Sequence, residues 1–106
     1  MLLMESNLKI FALIVTYNPD LNSFSKNLDA INNQVEKVII VDNSNDATCQ
    51  DNLKAYLKEK NDTILIQPKE NLGIAYAQNI GFVQAIKDNA DYIVTFDQDS
   101  SVEDGL

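Results

Sequence analysis

Two carboxylates one residue apart, Asp97 and Asp99, follow directly on the apolar run Tyr92-Ile93-Val94-Thr95-Phe96. On an extended backbone residues i and i+2 project to the same side, so the pair can converge on one cation while Gln98 points away. Two unpaired carboxylates so close repel each other unless one takes a proton or a metal lies between them. Taken alone, a D-x-D reads as an acidic surface turn. Two more polar clusters change the weighing, because each also ends an apolar run: Thr16-Tyr17-Asn18 after Ile10–Val15, and Asp42-Asn43-Ser44 after Val38–Val41.

The runs that carry these clusters read as buried strands, continuous and rich in Val and Ile rather than alternating. The third such run, Thr63-Ile64-Leu65-Ile66, is stopped by Pro68. Between them lie helical patterns. Leu21, Phe24, Leu28 and Ile31 recur at helical spacing behind Pro19, with Asn18 as the expected cap. Leu53, Tyr56 and Leu57 mark a second helix. Leu72, Tyr76, Ile80, Val83 and Ile86 predict a third, capped by Asn71, whose buried face is that stripe. Strands alternating with helices give βαβ units, hence an α/β fold with a parallel sheet of four strands in a Rossmann-like, three-layer arrangement. In such sheets ligands bind outside the carboxyl ends of the strands at a topological switch point, where the three clusters would gather. The fourth strand, carrying the D-x-D, is expected to be buried on both faces.

Other residues have a bland reading beside the functional one. Asp42, Asn43 and Ser44 are good turn formers before a helix. Asn79 adjoins the apolar stripe of the third helix, where an amide needs a partner, either as a group that holds a loop at the site or as a core hydrogen bonder. Gly73 and Gly81 weaken a helix by about 1 kcal/mol each relative to Ala, so close packing or ligand approach should justify them. Lys69 near the third strand end could meet a phosphate, or simply be solvated.

Composition narrows the function. The 106 residues, 45% of them hydrophobic, suffice for one small core. Acidic residues number 16 against 8 basic ones, and every basic residue is Lys, which argues against a nucleic-acid surface. A phosphate-bearing ligand would therefore be met by a metal ion, by helix N-termini, or by chain beyond this segment. With no His, triads and zinc sites built on imidazole are excluded, and the single Cys49 has no internal disulfide partner and no basic neighbour to activate it. No apolar run approaches the ~18 residues of a membrane span, and the amino terminus has no basic leader.

Ile14-Val15-Thr16-Tyr17-Asn18, Val41-Asp42-Asn43-Ser44, Asn71-Leu72-Gly73 with Ala77-Gln78-Asn79-Ile80-Gly81, and Phe96-Asp97-Gln98-Asp99-Ser100 together resemble the inverting family 2 glycosyltransferases of the GT-A fold. The D-Q-D-S and A-Q-N-x-G forms are similar to the bacterial rhamnosyltransferase branch. The resemblance implies that residues 1–106 form the N-terminal nucleotide-sugar-binding part of a longer domain. It implies a dTDP- or UDP-linked donor, held by Thr16, Tyr17, Asn18, Asp42, Asn43, Gly73, Asn79, Asp97, Gln98 and Asp99. In that scheme Tyr17, with Thr16 beside it, packs on the base, Asp42 accepts hydrogen bonds from it, Asp97 lies near the ribose or in the metal shell, and Asp99 binds Mg²⁺ or Mn²⁺ bridging the diphosphate. It further implies a saccharide or lipid-linked acceptor in cell-surface polysaccharide synthesis, and a cytoplasmic protein at the inner face of the membrane. Many relatives carry Arg where this chain has Gln78, so no diphosphate contact is expected there. The general base is expected beyond Leu106. A sheet ending at the fourth strand would expose an edge and an apolar face, favouring dimerisation or poor solubility.

Two other readings compete. In a D-x-D phosphatase or phosphotransferase, Asp97 would be the covalent nucleophile, but there the motif follows the first strand. In a calcium-binding α/β module the acidic cluster would be a sensor, yet the sixth position of such a loop is Val102 rather than Gly.

Overall fold

The structure, a computed structural model, describes residues 8–71 and 73–99. Strands β1 (Ile10–Thr16), β2 (Lys37–Asp42), β3 (Thr63–Ile66) and β4 (Tyr92–Asp97) alternate with helices α1 (Leu21–Asn32), α2 (Ala47–Leu57) and α3 (Ile74–Lys87). All pairings are parallel and the sheet order is β3-β2-β1-β4. The expected α/β architecture is therefore observed, in three layers. On one face Ala12, Ile14, Val38 and Ile40 meet Phe24, Leu28 and Ile31 of α1 and Leu53 and Leu57 of α2. On the other, Phe11, Leu13, Ile39 and Val41 meet Ala77 and Ala85 of α3. Alternate side chains of β1 and β2 thus enter opposite layers, which is why Ile10–Val15 and Val38–Val41 are continuously apolar and polar residues stand only at the strand ends. Each such Leu, Ile or Phe, fully withdrawn from water, contributes about 1.5–3 kcal/mol.

Helix ends depart from the expected caps. Asp20, not Asn18, caps α1, its side chain accepting from Ser23 N–H. Asn18 instead takes a left-handed conformation, φ 41°, a region Asn tolerates better than most residues. Gly73, not Asn71, precedes α3 with φ 96° and ψ 167°, and Asn71 Oδ1 accepts from the Gly73 N–H at 3.0 Å. No atom lies within 4 Å of where a Gly73 Cβ would stand, so its backbone conformation, not crowding, calls for glycine.

α3 lies on the sheet through a different face from the one its apolar stripe predicts. Its buried positions are Ala77, Gly81 and Ala85, four residues apart. A Cβ on Gly81 would stand 2.2 Å from Leu13 Cδ1, so small residues let the helix sit close to β1. Tyr76, Val83 and Ile86 are turned to solvent as a result. Leu72 lies outside the described residues.

β4 is not buried on both faces. It pairs only with β1 among the described residues, Ile93 and Phe96 contribute to the two core layers, and Tyr92 and Val94 are exposed.

Candidate functional site

The chain leaves β1 towards β2 and returns, after β3 and α3, to β4 on the other side of β1. That reversal makes the β1/β4 boundary the switch point of the sheet, where a crevice opens outside the strand ends. In register, Thr16 lies level with Asp42 and Val15 with Asp97, so the three polar clusters reach the same height. A cleft of about 380 Å³ occupies the boundary. Thr16 and Tyr17 line it from the end of β1, Asn43 from just past β2, Gly73 from the start of α3, and Asp97, Gln98 and Asp99 from the end of β4 and the turn behind it. A second depression, about 540 Å³, lies along α1 against Asp20, Lys26 and Asn27, and shares Gln98 and Asp99 with the first.

Asp42 does not line the cleft. It is 2% exposed, and its carboxylate is enclosed by donors. Oδ1 accepts from Thr16 Oγ1 at 2.8 Å, Ser44 Oγ at 2.6 Å and the Ser44 N–H at 3.2 Å, while Oδ2 accepts from Gln67 Nε2 at 3.1 Å. A carboxylate so supplied is a local anchor: it ties the ends of β1, β2 and β3 together. The residue that faces the ligand space is its neighbour. Asn43 donates its N–H to the Thr16 carbonyl at 2.7 Å and its Nδ2 to the Gly73 carbonyl at 3.3 Å, which fixes its side chain in the cleft wall.

Asn18 has a holding part too. Its N–H donates to Ser44 Oγ at 2.7 Å, Nδ2 donates to Asn45 Oδ1 at 2.9 Å, and Oδ1 accepts from the Asp46 N–H at 3.2 Å. These bonds join the β1–α1 turn to the β2–α2 loop, and Asn18 is absent from the cleft lining. Asn79 is not brought to the site. It is exposed on α3 and faces a separate depression with Ile66, Tyr76 and Val83, because α3 turns its Ala77/Gly81 face to the sheet.

The carboxylate pair departs from the simple extended picture. β4 ends at Asp97, and Gln98 and Asp99 form a turn, yet Asp97 and Asp99 line the same cleft. Ser100 lies outside the described residues. Gln98 does not point idly away: its Oε1 accepts from the Tyr17 N–H at 2.6 Å and its Nε2 donates to the Tyr17 carbonyl at 3.2 Å. Sequence reasoning also passed over Gln67, which bonds both Asp42 and the Gln50 carbonyl, the latter at 3.1 Å, and Asn27, whose Nδ2 reaches the Gln98 carbonyl at 3.4 Å. Gln67 had a signal, a polar residue directly at a strand end before a proline. Asn27 had none.

The cleft offers oxygen donors and no cation. Among the described residues no group of three or more His, Cys, Asp or Glu side chains could hold a metal unaided, and no Lys lines the cleft. The pKa of the Cys49 thiol is pushed up by burial first and then by the carboxylates of Asp46 and Asp42, which lowers its thiolate fraction. Lys69 is exposed and outside the cleft.

The profile of glycosyl transferase family 2 matches residues 11–106, nearly the whole chain. The chain belongs to that family. Among curated glycosyltransferases it is similar to the dTDP-rhamnosyl transferase RfbF of Shigella flexneri, 38% identical over 96 residues that make up 91% of this chain and 31% of that protein. The chain thus spans about a third of the length of this family relative. Among solved structures it superposes on GalNAc-T7, crystallised with UDP, GalNAc and Mn²⁺, with a TM-score of 0.76 over 92% of this chain and 19% of that one. At 18% identity that likeness speaks for a shared GT-A fold. A match over residues 11–106 leaves the phosphotransferase and calcium-sensor readings without support, and the D-x-D follows β4, not β1. No helix among the described residues is long and apolar enough to cross a membrane.

Proposed function

We propose that this chain forms the donor-binding part of a metal-dependent, inverting glycosyltransferase that takes its sugar from a nucleoside-diphosphate donor, dTDP-rhamnose by its kinship with RfbF. The observation that carries the proposal is the convergence, at the β1/β4 switch point, of Tyr17, Asn43, Gly73, Asp97 and Asp99 on one cleft. Tyr17, 47% exposed, offers a ring on which a pyrimidine can stack, and Asn43 an amide at the cleft wall to pair with its edge. Base recognition passes in this reading from the buried Asp42 to Asn43, with Asp42 holding the strand ends beneath.

The donor set fits a divalent cation of the Mg²⁺ or Mn²⁺ type held jointly with the ligand. Such ions are commonly bound by one or two carboxylates plus substrate phosphates, and two carboxylates are what the cleft provides. When bound, the cation would neutralise the diphosphate and the charge that develops on it as it leaves. Asp97 and Asp99 would orient it, and in an acidic chain without Arg a cation held there would offset the repulsion between the cleft carboxylates and a diphosphate. Inversion requires an acceptor hydroxyl to approach the anomeric carbon from the side opposite the diphosphate. The base that takes its proton, the acceptor, a saccharide or lipid-linked sugar, and its binding surface belong to chain outside these residues.

Calorimetric titration of the protein with dTDP and with UDP, each with and without Mn²⁺, tests the reading. Binding of dTDP that requires Mn²⁺ and is lost in Asp99→Ala is the expected result. Metal-independent binding, or binding indifferent to Asp99→Ala, would contradict it, and a preference for UDP would move the donor away from dTDP-rhamnose.

A further inference from the structure

Gln98 is placed between two carboxylates, but its side chain is committed elsewhere. It forms a two-point pair with the backbone of a single residue 81 positions away, Tyr17, through the contacts of 2.6 and 3.2 Å described above. The location explains why an amide is needed. β1 and β4 stay in register as far as Val15 and Asp97. Beyond that rung the strands part, and the Thr16 carbonyl turns to the Asn43 N–H on the β2 side. A primary amide carries one donor and one acceptor side by side, so Gln98 supplies the next rung of the ladder with its side chain where the backbones no longer meet. The turn that carries it is held in turn by Asn27 Nδ2 on the Gln98 carbonyl.

From this geometry we infer that Gln98 is a positioning residue: it fixes Tyr17, at the base end of the cleft, against the turn that carries Asp99, at the metal and diphosphate end. The inference rests on the donor-site reading above. Its physical content is that Gln98 acts through Tyr17. A ring anchored at a set height above the sheet loses less freedom on binding a nucleotide than one on a turn free to shift, and the gain appears as affinity. Alanine removes both hydrogen bonds. Glutamate keeps an acceptor for the Tyr17 N–H but loses the donor, and turns a second oxygen towards the Tyr17 carbonyl.

The test is a double-mutant cycle on dTDP binding in saturating Mn²⁺, read by calorimetry, with thermal melting of every variant. Gln98→Ala should weaken dTDP about fivefold to tenfold, the scale of one or two modest hydrogen bonds, and Gln98→Glu, which sets an oxygen against the Tyr17 carbonyl and adds a charge beside Asp97 and Asp99, should weaken it at least as much. In a Tyr17→Ala background the same Gln98→Ala change should cost less than about twofold, because the ring it positions is gone. A loss of equal size in both backgrounds would mean that Gln98 does not act through the Tyr17 ring, and would overturn the inference. So would full affinity in Gln98→Ala, or a loss of affinity explained by melting at the assay temperature in both Gln98 variants. If the unaltered protein binds neither dTDP nor UDP with Mn²⁺, the donor-site reading falls and this inference with it, whereas binding that ignores Gln98 overturns the inference alone.

Discussion

Asp42→Asn distinguishes an anchor from a ligand contact. The carboxylate is 2% exposed and accepts four hydrogen bonds, three on Oδ1 and one on Oδ2. An Asn amide can keep its oxygen towards Thr16 and Ser44, but its nitrogen then faces Gln67 Nε2, donor against donor. Gln67 cannot relieve this by turning its own amide, because the same Nε2 also donates to the Gln50 carbonyl at 3.1 Å, and a turned amide would set oxygen against oxygen there. One charge-assisted bond is lost, a buried donor is left unpaired, and the three remaining bonds weaken as the charge disappears. Together these cost about 2–4 kcal/mol. For a domain of this size each kcal/mol corresponds to roughly 4–8 °C, so Tm should fall by about 10–25 °C in a melt followed by circular dichroism. Below its transition the variant should still bind dTDP and Mn²⁺ within about threefold of the unaltered protein, since Asn43, not Asp42, lines the cleft. An unchanged Tm together with loss of nucleotide binding would refute the argument, and would restore Asp42 to the base-contacting role that the sequence pattern suggests.

Two further outcomes follow from local geometry. Gly81→Ala should gain about 1 kcal/mol of helix propensity and lose more than that, because the new Cβ would stand 2.2 Å from Leu13 Cδ1 and 2.8 Å from Cδ2 on a fully buried side chain. Overpacking of this kind typically costs 1–3 kcal/mol, so a fall in Tm of a few degrees is expected and a rise would show that Leu13 has room to give. Cys49 should react slowly with iodoacetamide at pH 8, because burial and the nearby Asp46 and Asp42 raise its pKa and so lower the thiolate fraction at any pH beneath it. Asp46→Asn should speed the reaction while keeping the helix cap that Asp46 now provides to the Thr48 and Cys49 N–H groups at 2.8 and 3.1 Å. An unchanged alkylation rate in a folded Asp46→Asn variant would place the cause elsewhere.

The strands and helices were legible because their signals are redundant: continuous Val and Ile runs for β1 and β2, a 3.6-residue period for α1, and polar residues at each strand end. What failed did so where the sequence pattern admits two packings. α3 carries both a large-residue stripe, Tyr76, Val83 and Ile86, and a small-residue stripe, Ala77, Gly81 and Ala85. Periodicity favours the first, but closeness to the sheet selects the second, since only a face without bulk lets the helix approach Leu13. β4 looks like a central strand because its apolar run is as long as that of β2, and it is exposed because no described element covers Tyr92 and Val94.

The assignment at residues 42 and 43 turned on parity, and parity was in principle readable. Ala12 and Ile14 in β1, and Val38 and Ile40 in β2, point into the layer of α1 and α2. Thr16 and Asp42 continue those two series, so both side chains go beneath that layer and meet each other at 2.8 Å. Asn43 stands one residue on, at the mouth, with its amide held across to the Gly73 carbonyl at the start of α3. The sheet order was not readable in the same way. Had β4 been added beyond β3, two strands, β2 and β3, would separate the D-x-D from β1, and Gln98 could not reach Tyr17. Placing β4 against β1 brings residues 81 positions apart within 2.6 Å, and it is this reversal that turns three separate strand ends into one cleft.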